Sequence, residues 1–324
     1  MIGLGKCLVW SLVCVGVLVG CEKAEQPQGE SKAGAPVKVQ LALNWKAEPQ
    51  FGGFYAAKGA FEAAGLDVTV LPGGSGTPTV QMVAAGQVEF AVVSADEVLI
   101  NRARGGDVVA LFAVYQTNPQ GLMTHASRNL TDIGQIFEQP GRLALQAGLP
   151  YANFLKNKYG FGKLEVVPNT AGVPAFLRDE TMSLQCFVTS EPLTAAKLGT
   201  KVRTFLVAES GYNPYTTVLV ARGALVRENP ALVSKVTLAV KAGWETYLKD
   251  PTATNAEMMK LNPAMDAETF AASAEAQRPL ILVEGTSLGD MTLGRWEELG
   301  KQLVALGVLE RAPVATECFV PLPK

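Results

Sequence analysis

Residues 88–116, VEFAVVSADEVLINRARGGDVVALFAVYQ, decide the fold of this chain. The apolar run 88–93 is followed at Ser94 by small and polar residues that are typical of a helix start, and this segment ends near the glycines at 105–106. A second apolar run occupies 108–114. The stretch therefore predicts a strand, a helix and a second strand, which is the repeating unit of a largely parallel sheet.

The same alternation continues on the N-terminal side. Residues 37–43, VKVQLAL, alternate as a strand does, 52–64 has helical character and ends at a glycine, and 66–71 is again strand-like. The turn 72–76 leads into a helix that runs to about Ala85. The sequence predicts a βαβαβαβ order, and hence an α/β sheet with helices on both faces.

The apolar pattern is interrupted near residues 115–119 and again near 211–214, and these two breaks divide the remaining chain. A second α/β pattern lies between them, and a mostly helical region follows them. Further strands are expected at 143–145, 164–167, 184–188, 204–207 and 217–220, and helices at 151–159, 232–248, 268–276 and 296–306. Two breaks flanking an inserted unit predict two lobes joined by two crossovers, with 37–117 and 215–324 in one lobe and 118–214 in the other.

The N-terminus has the pattern of an export signal. One early positive charge, Lys6, precedes an apolar run from Cys7 to Val19, which is shorter than the about 20 residues that a membrane span needs. The run ends in LVGC at Cys21, which resembles the lipobox of bacterial lipoproteins. That resemblance implies a signal peptide at 1–20, acylation of the Cys21 thiol and a polar tether at 21–36. The expected location is outside the cytoplasm, lipid-anchored to a membrane of the cell envelope; an ordinary signal peptide is the alternative.

Charge and composition exclude several functional classes. The formal net charge is −2 with both signs scattered, so neither nucleic-acid binding nor a polybasic membrane patch is indicated. Cys186 and Cys318 are far apart in sequence, and two separately buried thiols are favoured over a disulfide. No Cys/His cluster has metal-ligand spacing, and we expect neither a metal nor a cofactor. His125 is the single histidine and is predicted to be a surface residue at a strand end.

Polar and aromatic residues follow the predicted strands, at the sheet edge where ligands of open α/β folds bind. These candidate residues are Asn44, Trp45, Gly74, Ser75, Gly76, Ser94, Asp96, Gln116 and Glu191. The glycine-rich turn could offer free backbone N–H groups to a polar ligand atom, or be a plain turn. Ser94 and Asp96 could be helix N-caps as well as ligand contacts, and Trp45 could instead be a core aromatic.

Three motifs carry a resemblance to a known family. They are LNW at 43–45, PQFGGFYAA at 49–57 and AGLDV at 64–68, and the match extends through PGG at 72–74 and GQVEFA at 86–91. These motifs resemble the thiamine-pyrimidine-precursor binding proteins and pyrimidine synthases. That family is similar to the periplasmic solute-binding proteins of ABC importers, with relatives for riboflavin, taurine, alkanesulfonates and nitrate. The resemblance covers residues 38 to about 120 well and then thins out.

The resemblance implies a type II periplasmic binding protein fold that clamps a small molecule between its lobes. Trp45 would stack on a flat ligand in the cleft. Carried over by position, the other ligand-binding residues would be Asn44, Phe51, Gly74, Ser75, Gly76, Ser94, Asp96, Gln116, Glu191, Tyr212 and Tyr215. The implied partners are an ABC permease and its ATPase, with the binding protein acting as a monomer rather than as an enzyme.

Departures from the family pattern narrow the choice among possible ligands. The synthases have a histidine where this chain has Phe51, and their cysteine-rich motif has no counterpart here. Sulfonates and nitrate call for cations, yet Lys46 is the single cation among the candidate positions, while Asp96 and Glu191 are acids. A thiamine pyrimidine precursor is therefore the favoured ligand. Riboflavin or a sulfonate, an exported enzyme and a ligand-sensing module are the alternatives.

Overall fold

The computed structural model describes residues 35–323. The expected signal peptide, the predicted acylation site Cys21 and nearly all of the predicted tether lie outside these residues. Within the described part of the chain, no helix combines the length and the apolar character that crossing a bilayer requires.

Between residues 35 and 323, ten strands form two five-stranded sheets. The strands are β1 (Val37–Ala42), β2 (Leu66–Leu71), β3 (Phe90–Val93), β4 (Val108–Tyr115), β5 (Gln120–His125), β6 (Gly141–Leu145), β7 (Leu164–Pro168), β8 (Met182–Phe187), β9 (Val202–Leu206) and β10 (Thr216–Arg222). The first sheet has the order β2-β1-β3-β10-β4 and the second β7-β6-β8-β5-β9. The α/β class predicted from the sequence is confirmed.

Fourteen α-helices connect and cover the sheets in the described residues. They are α1 (Gly52–Ala56), α2 (Lys58–Ala63), α3 (Thr79–Ala84), α4 (Ala95–Ala103), α5 (Gly134–Glu138), α6 (Pro150–Tyr159), α7 (Gly172–Phe176), α8 (Glu191–Lys197), α9 (Gly223–Glu228), α10 (Pro230–Lys249), α11 (Thr252–Leu261), α12 (Ala267–Ala276), α13 (Arg278–Ile281) and α14 (Leu293–Ala305). The predicted helix 52–64 is two consecutive helices, and the helices α5, α7, α8, α9, α11 and α13 have no individual counterpart in the sequence prediction.

The first sheet is mixed rather than simply parallel. Strand β1 pairs in parallel with β2 and β3, as the sequence predicts. Strand β10 enters antiparallel between β3 and β4, pairing Val218 with Val93 on one side and Thr216 with Tyr115 on the other. Thus β4, which follows β3 and α4 along the chain, is separated from β3 in the sheet by a strand that lies about 100 residues further along the chain.

The second sheet contains an antiparallel strand at the corresponding place. Strands β6, β7 and β8 are parallel neighbours, whereas β5 runs antiparallel to both β8 and β9. The two sheets therefore share one plan. In each, three parallel strands at one side are followed by an antiparallel strand that adjoins a crossover between the sheets.

The paired glycines of the PQFGGFYAA segment are required by helix packing. A Cβ on Gly53 would lie 2.2 Å from the Trp244 indole, and one on Gly52 would lie 2.2 Å from the Tyr247 ring. The glycines let α1 lie directly against the aromatic face of α10, where Phe54 meets Trp244 edge-on at 6.0 Å. This aromatic layer forms much of the core beside the first sheet.

The structure corrects one sequence expectation and confirms another. His125 ends β5 as predicted, but it is buried, because its ring stacks on Phe176 at 4.1 Å and its Nε2 bonds the Phe176 carbonyl at 2.9 Å. The expected surface position was wrong. Cys186 and Cys318 are both free and both buried, as expected.

Candidate ligand-binding cleft

The loop after β1 presents an exposed indole. Trp45 is 36% exposed, so it is not the core aromatic that the sequence also allowed. Its Nε1 donates to Glu48 Oε1 at 3.2 Å, and its backbone carbonyl accepts the Gly73 N–H at 2.9 Å. A Cβ on Gly73 would lie 2.1 Å from the Leu43 carbonyl, so glycine is required there. The glycine-rich segment therefore supports the Trp45 loop from behind.

The turn that follows has its own hydrogen bonds. The Gly74 N–H donates to Thr77 Oγ1 at 2.8 Å, the Thr77 N–H donates to the Gly74 carbonyl, and Gly76 takes a left-handed φ of +78°. The N–H groups of Gly73 and Gly74 are thus already engaged. Because α3 starts three residues after Gly76, the segment is a turn ahead of that helix, with Ser75 and Gly76 exposed. Ligand contact through Gly74, Ser75 and Gly76 stays a prediction.

The start of α4 carries buried acids. Ser94 is the N-cap, and its N–H and Oγ donate to Glu97 Oε2 at 2.9 and 3.0 Å. Asp96 lies in the first helical turn rather than at the cap, and it accepts from Ser94 Oγ and from the Glu97 N–H. Burial raises the pKa of both Asp96 and Glu97. The hydroxyl of Tyr212, itself buried, faces Asp96 without forming a hydrogen bond of good geometry.

The two crossovers between the sheets are tied to each other. The Asn118 N–H donates to Asn213 Oδ1 at 2.8 Å, and Asn118 Nδ2 donates to the Pro214 carbonyl at 3.1 Å. Asn118 Oδ1 accepts the Gln120 N–H at 2.9 Å. Arg295 Nε donates to the Asn213 carbonyl at 2.9 Å and so joins α14 to the same junction.

Two predicted ligand residues are engaged at this junction. Gln116 Nε2 donates to the Asp290 carbonyl at 2.9 Å. Tyr215 accepts the Thr292 N–H on its hydroxyl at 3.0 Å and carries the Arg295 guanidinium 3.8 Å above its ring. Both side chains are buried, and Gln116 Nε2 and the Tyr215 hydroxyl each have a partner at the junction. Their contact with a ligand stays a prediction.

The ends of β4 and β8 bring the two sheets into contact. Tyr115, at the end of β4, donates to Gln277 Oε1 at 2.7 Å, and its ring meets Phe187 edge-on at 6.4 Å. Phe187 ends β8, and its N–H donates to Glu191 Oε2 at 2.8 Å. Glu191 in turn acts electrostatically on the buried Tyr151 at the start of α6. We call the set Trp45, Glu48, Tyr115, Phe187 and Glu191, which brings both sheets together, the cleft cluster.

Charge in the cleft cluster is negative. Burial and the nearby Glu191 carboxylate raise the pKa of Glu48 to about 7, against smaller opposing effects of the Trp45 N–H and Lys46. Burial likewise raises the pKa of Glu191, although hydrogen bonds from the backbone N–H groups of Glu191 and Phe187 partly compensate. Within residues 35–323, neither carboxylate forms an ion pair. A ligand that brings donors or positive charge would relieve this excess.

The sequence missed some members of this region and misplaced another. Glu48 and Tyr151 were not predicted; Glu48 could have been suspected, since it follows Trp45 by three residues in a polar segment. Phe51, expected at the ligand, is 1% exposed and packs in the core beside the first sheet. Asn44 lies half-buried next to Trp45. No group of three or more potential metal ligands occurs in the described part of the chain.

Comparisons with known proteins agree with this architecture. A family model described as NMT1/THI5 like matches residues 48–254. A curated relative, the 4-amino-5-hydroxymethyl-2-methylpyrimidine phosphate synthase of Candida albicans (strain WO-1), is 23% identical over 248 residues, covering 71% of this chain and 73% of the relative.

Solved structures share the fold at low identity. The periplasmic aliphatic sulphonate binding protein of Escherichia coli superimposes with a TM-score of 0.69 at 12% identity, covering 89% of this chain and 94% of that one. The desulfurization enzyme DSZB gives 0.58 at 14% identity, covering 86% and 96%. The fold is thus that of the periplasmic binding proteins, as expected. Since the family model spans more than half of the sequence, the chain belongs to the NMT1/THI5-like family.

Proposed function

We propose that this protein is the solute-binding component of an ABC importer and that it binds a small planar amino-substituted heterocycle of the thiamine-pyrimidine type. The observation that carries the proposal is the cleft cluster, in which an exposed indole lies beside two partly buried carboxylates from opposite sheets. The indole offers a face for stacking, and the carboxylates accept amino hydrogens. The name of the Candida albicans relative supports the same ligand class.

The remaining parts of the proposal concern assembly and location. The lobes would be 37–117 with 215–324 and 118–214, hinged at the Asn118–Asn213 junction and closing on the ligand. The protein would be exported, anchored through acyl groups on Cys21, and presented as a monomer to a permease and its ATPase. The similarity to a periplasmic binding protein supports export.

A sulfonate is the second candidate, because a sulphonate binding protein shares the fold. Its anionic head would approach two carboxylates of raised pKa, which is electrostatically unfavourable. Catalysis is less favoured than binding. An enzyme needs an activated nucleophile or a metal centre, and the cleft cluster offers two carboxyls, one indole, one phenol and one phenyl ring.

Mass spectrometry of small molecules that co-purify with the protein tests the proposal directly. Titration calorimetry with 4-amino-5-hydroxymethyl-2-methylpyrimidine, riboflavin and taurine then ranks the candidates. We expect the pyrimidine to bind most tightly and to be recovered unchanged. Tightest binding of taurine would replace the proposal with the sulfonate function, and conversion of the bound pyrimidine to a product would replace it with an enzyme.

A further inference from the structure

Glu48 is connected to Glu191 by a continuous series of contacts across the cleft. The carbonyl of Pro49, the next residue, accepts a hydrogen bond from Gln277 Nε2 at 3.0 Å. The Oε1 atom of Gln277 accepts a hydrogen bond from the Tyr115 hydroxyl, and the Tyr115 ring contacts Phe187 edge-on. Because the Phe187 N–H holds Glu191, this series of contacts ends at a carboxyl that is near enough to Glu48 to act on it electrostatically.

The surroundings of Glu48 contain little compensating charge. The titratable side chains that face it are Glu191 from α8, Tyr115 from β4 and Lys46 from its own loop. Lys46 is exposed, and its opposing effect on the pKa of Glu48 is smaller than the effect of Glu191. Gln277, which contributes from the end of α12, is neutral. The like-charged Glu191 therefore dominates the charges that Glu48 meets.

Glu48 also holds the indole that is proposed to stack on the ligand. Its carboxyl accepts the Trp45 Nε1 proton. We infer that Glu48 is a positioning residue that orients Trp45 and makes closure of the two halves depend on a proton or a positively charged group in the cleft. This inference rests on the proposed function in taking the cleft cluster as the binding site.

The expected pH dependence has a definite sign. In this structure, where Tyr115 and Phe187 bring the two sheets into contact, the pKa of Glu48 is raised to about 7. When the sheets separate, Glu48 regains water and its pKa returns towards the ordinary 4.5. Closure of the empty protein is therefore unopposed below about pH 4.5 and becomes less favourable as the pH rises through 7. Between these values the closure equilibrium changes by up to about tenfold per pH unit, the limit for one linked proton. Above pH 7, where Glu48 has lost its proton, closure would depend on a positively charged group in the cleft, which offsets the carboxylate charge as the proton does at lower pH.

Small-angle X-ray scattering of the ligand-free protein from pH 4.5 to 8.5 tests the inference. We expect the radius of gyration to rise with pH in the wild type and to stay at the compact value in Glu48→Gln, which keeps an acceptor for the Trp45 N–H. Glu62→Gln, which removes an exposed carboxylate on α2, is the matched control and should follow the wild type. A pH-independent wild type, or a Glu48→Gln profile equal to that of the wild type, would overturn the inference.

A ligand arm separates this inference from the proposed function. The affinity for 4-amino-5-hydroxymethyl-2-methylpyrimidine is measured by calorimetry at pH 6, 7 and 8 in the wild type, Glu48→Gln and Glu48→Ala. Glu48→Gln should flatten the pH profile while keeping the Trp45 contact, and Glu48→Ala should weaken binding at every pH. Equal profiles in all three proteins would contradict the positioning role. Failure of the wild type to bind the pyrimidine would remove the ligand proposal but leave the scattering result as an independent test.

Discussion

The crossover junction and the cleft cluster bury polar groups to a similar degree but treat them differently. At the junction, Asn118 and Asn213 are neutral and hydrogen-bonded to backbone groups of the opposite crossover. In the cleft, Glu48 and Glu191 are acids that face each other. A buried polar group that stabilises the fold has its hydrogen-bond partners within the fold. The unfavourable electrostatics of the cleft suit a place where a ligand completes the charge balance.

The largest effect is expected from a substitution that breaks the crossover junction. Asn118→Ala removes two side-chain hydrogen bonds and leaves the Pro214 carbonyl and the Gln120 N–H without partners. We expect the free energy of unfolding to fall by about 2–4 kcal/mol, since each buried unpaired group costs about 1–3 kcal/mol. Urea denaturation measures this loss of unfolding free energy, and Gln81→Ala, at an exposed position on α3, is the control. A loss below about 0.5 kcal/mol would show that the junction does not stabilise the fold.

The opposite result is expected in the cleft. Glu48→Gln should raise the free energy of unfolding at pH 8, because it removes a carboxylate whose pKa is raised to about 7. A rise from 4.5 to about 7 corresponds to about 1–3 kcal/mol of destabilisation above pH 7, and this vanishes below pH 4.5 where the group is protonated in both states. Denaturation at pH 4 and pH 8 gives the difference. Equal stability of the variant and the wild type at pH 8 would contradict the unfavourable charge in the cleft.

Trp45 separates binding from stability. Its exposed indole contributes little to the core, so Trp45→Ala should leave thermal unfolding nearly unchanged. We expect affinity for the pyrimidine to fall by roughly 1–3 kcal/mol through lost stacking. Trp45→Phe, which keeps an aromatic face, should recover much of it. Unchanged affinity in calorimetry would show that Trp45 does not touch the ligand.

The smallest effect is expected at the rim, where Lys197 at the end of α8 pairs with Asp266 and Glu268 of the α12 region. The Lys197 hydrogen bond is the main cause that lowers the pKa of Asp266 to about 2. All three side chains are exposed, so salt screens the contact. Lys197→Gln should open the ligand-free protein slightly at low salt and not at high salt, as measured by scattering. An effect that persists at 1 M salt would require a different cause.

Local features of the fold could be predicted from the sequence. The apolar runs of β1, β2 and β4 and the helix start at Ser94 depend on neighbouring residues, and the structure confirms them. The roles of Gln116 and Tyr215 could not be predicted in this way. Gln116 directly follows β4 and Tyr215 directly precedes β10, where a ligand contact is expected. Their hydrogen-bond partners Asp290 and Thr292 lie more than 70 residues away along the chain.

The sequence by itself determined the α/β class, the succession of its main strands and helices and the presence of Trp45 at a strand end, because periodicity and turn chemistry act over a few residues. The tertiary structure alone decided that β10 separates β3 from β4 and that Glu48 meets Glu191. The physical reason is distance along the chain. Residues more than 100 positions apart become neighbours through the packing of whole sheets and helices, and no local pattern records which ones will meet.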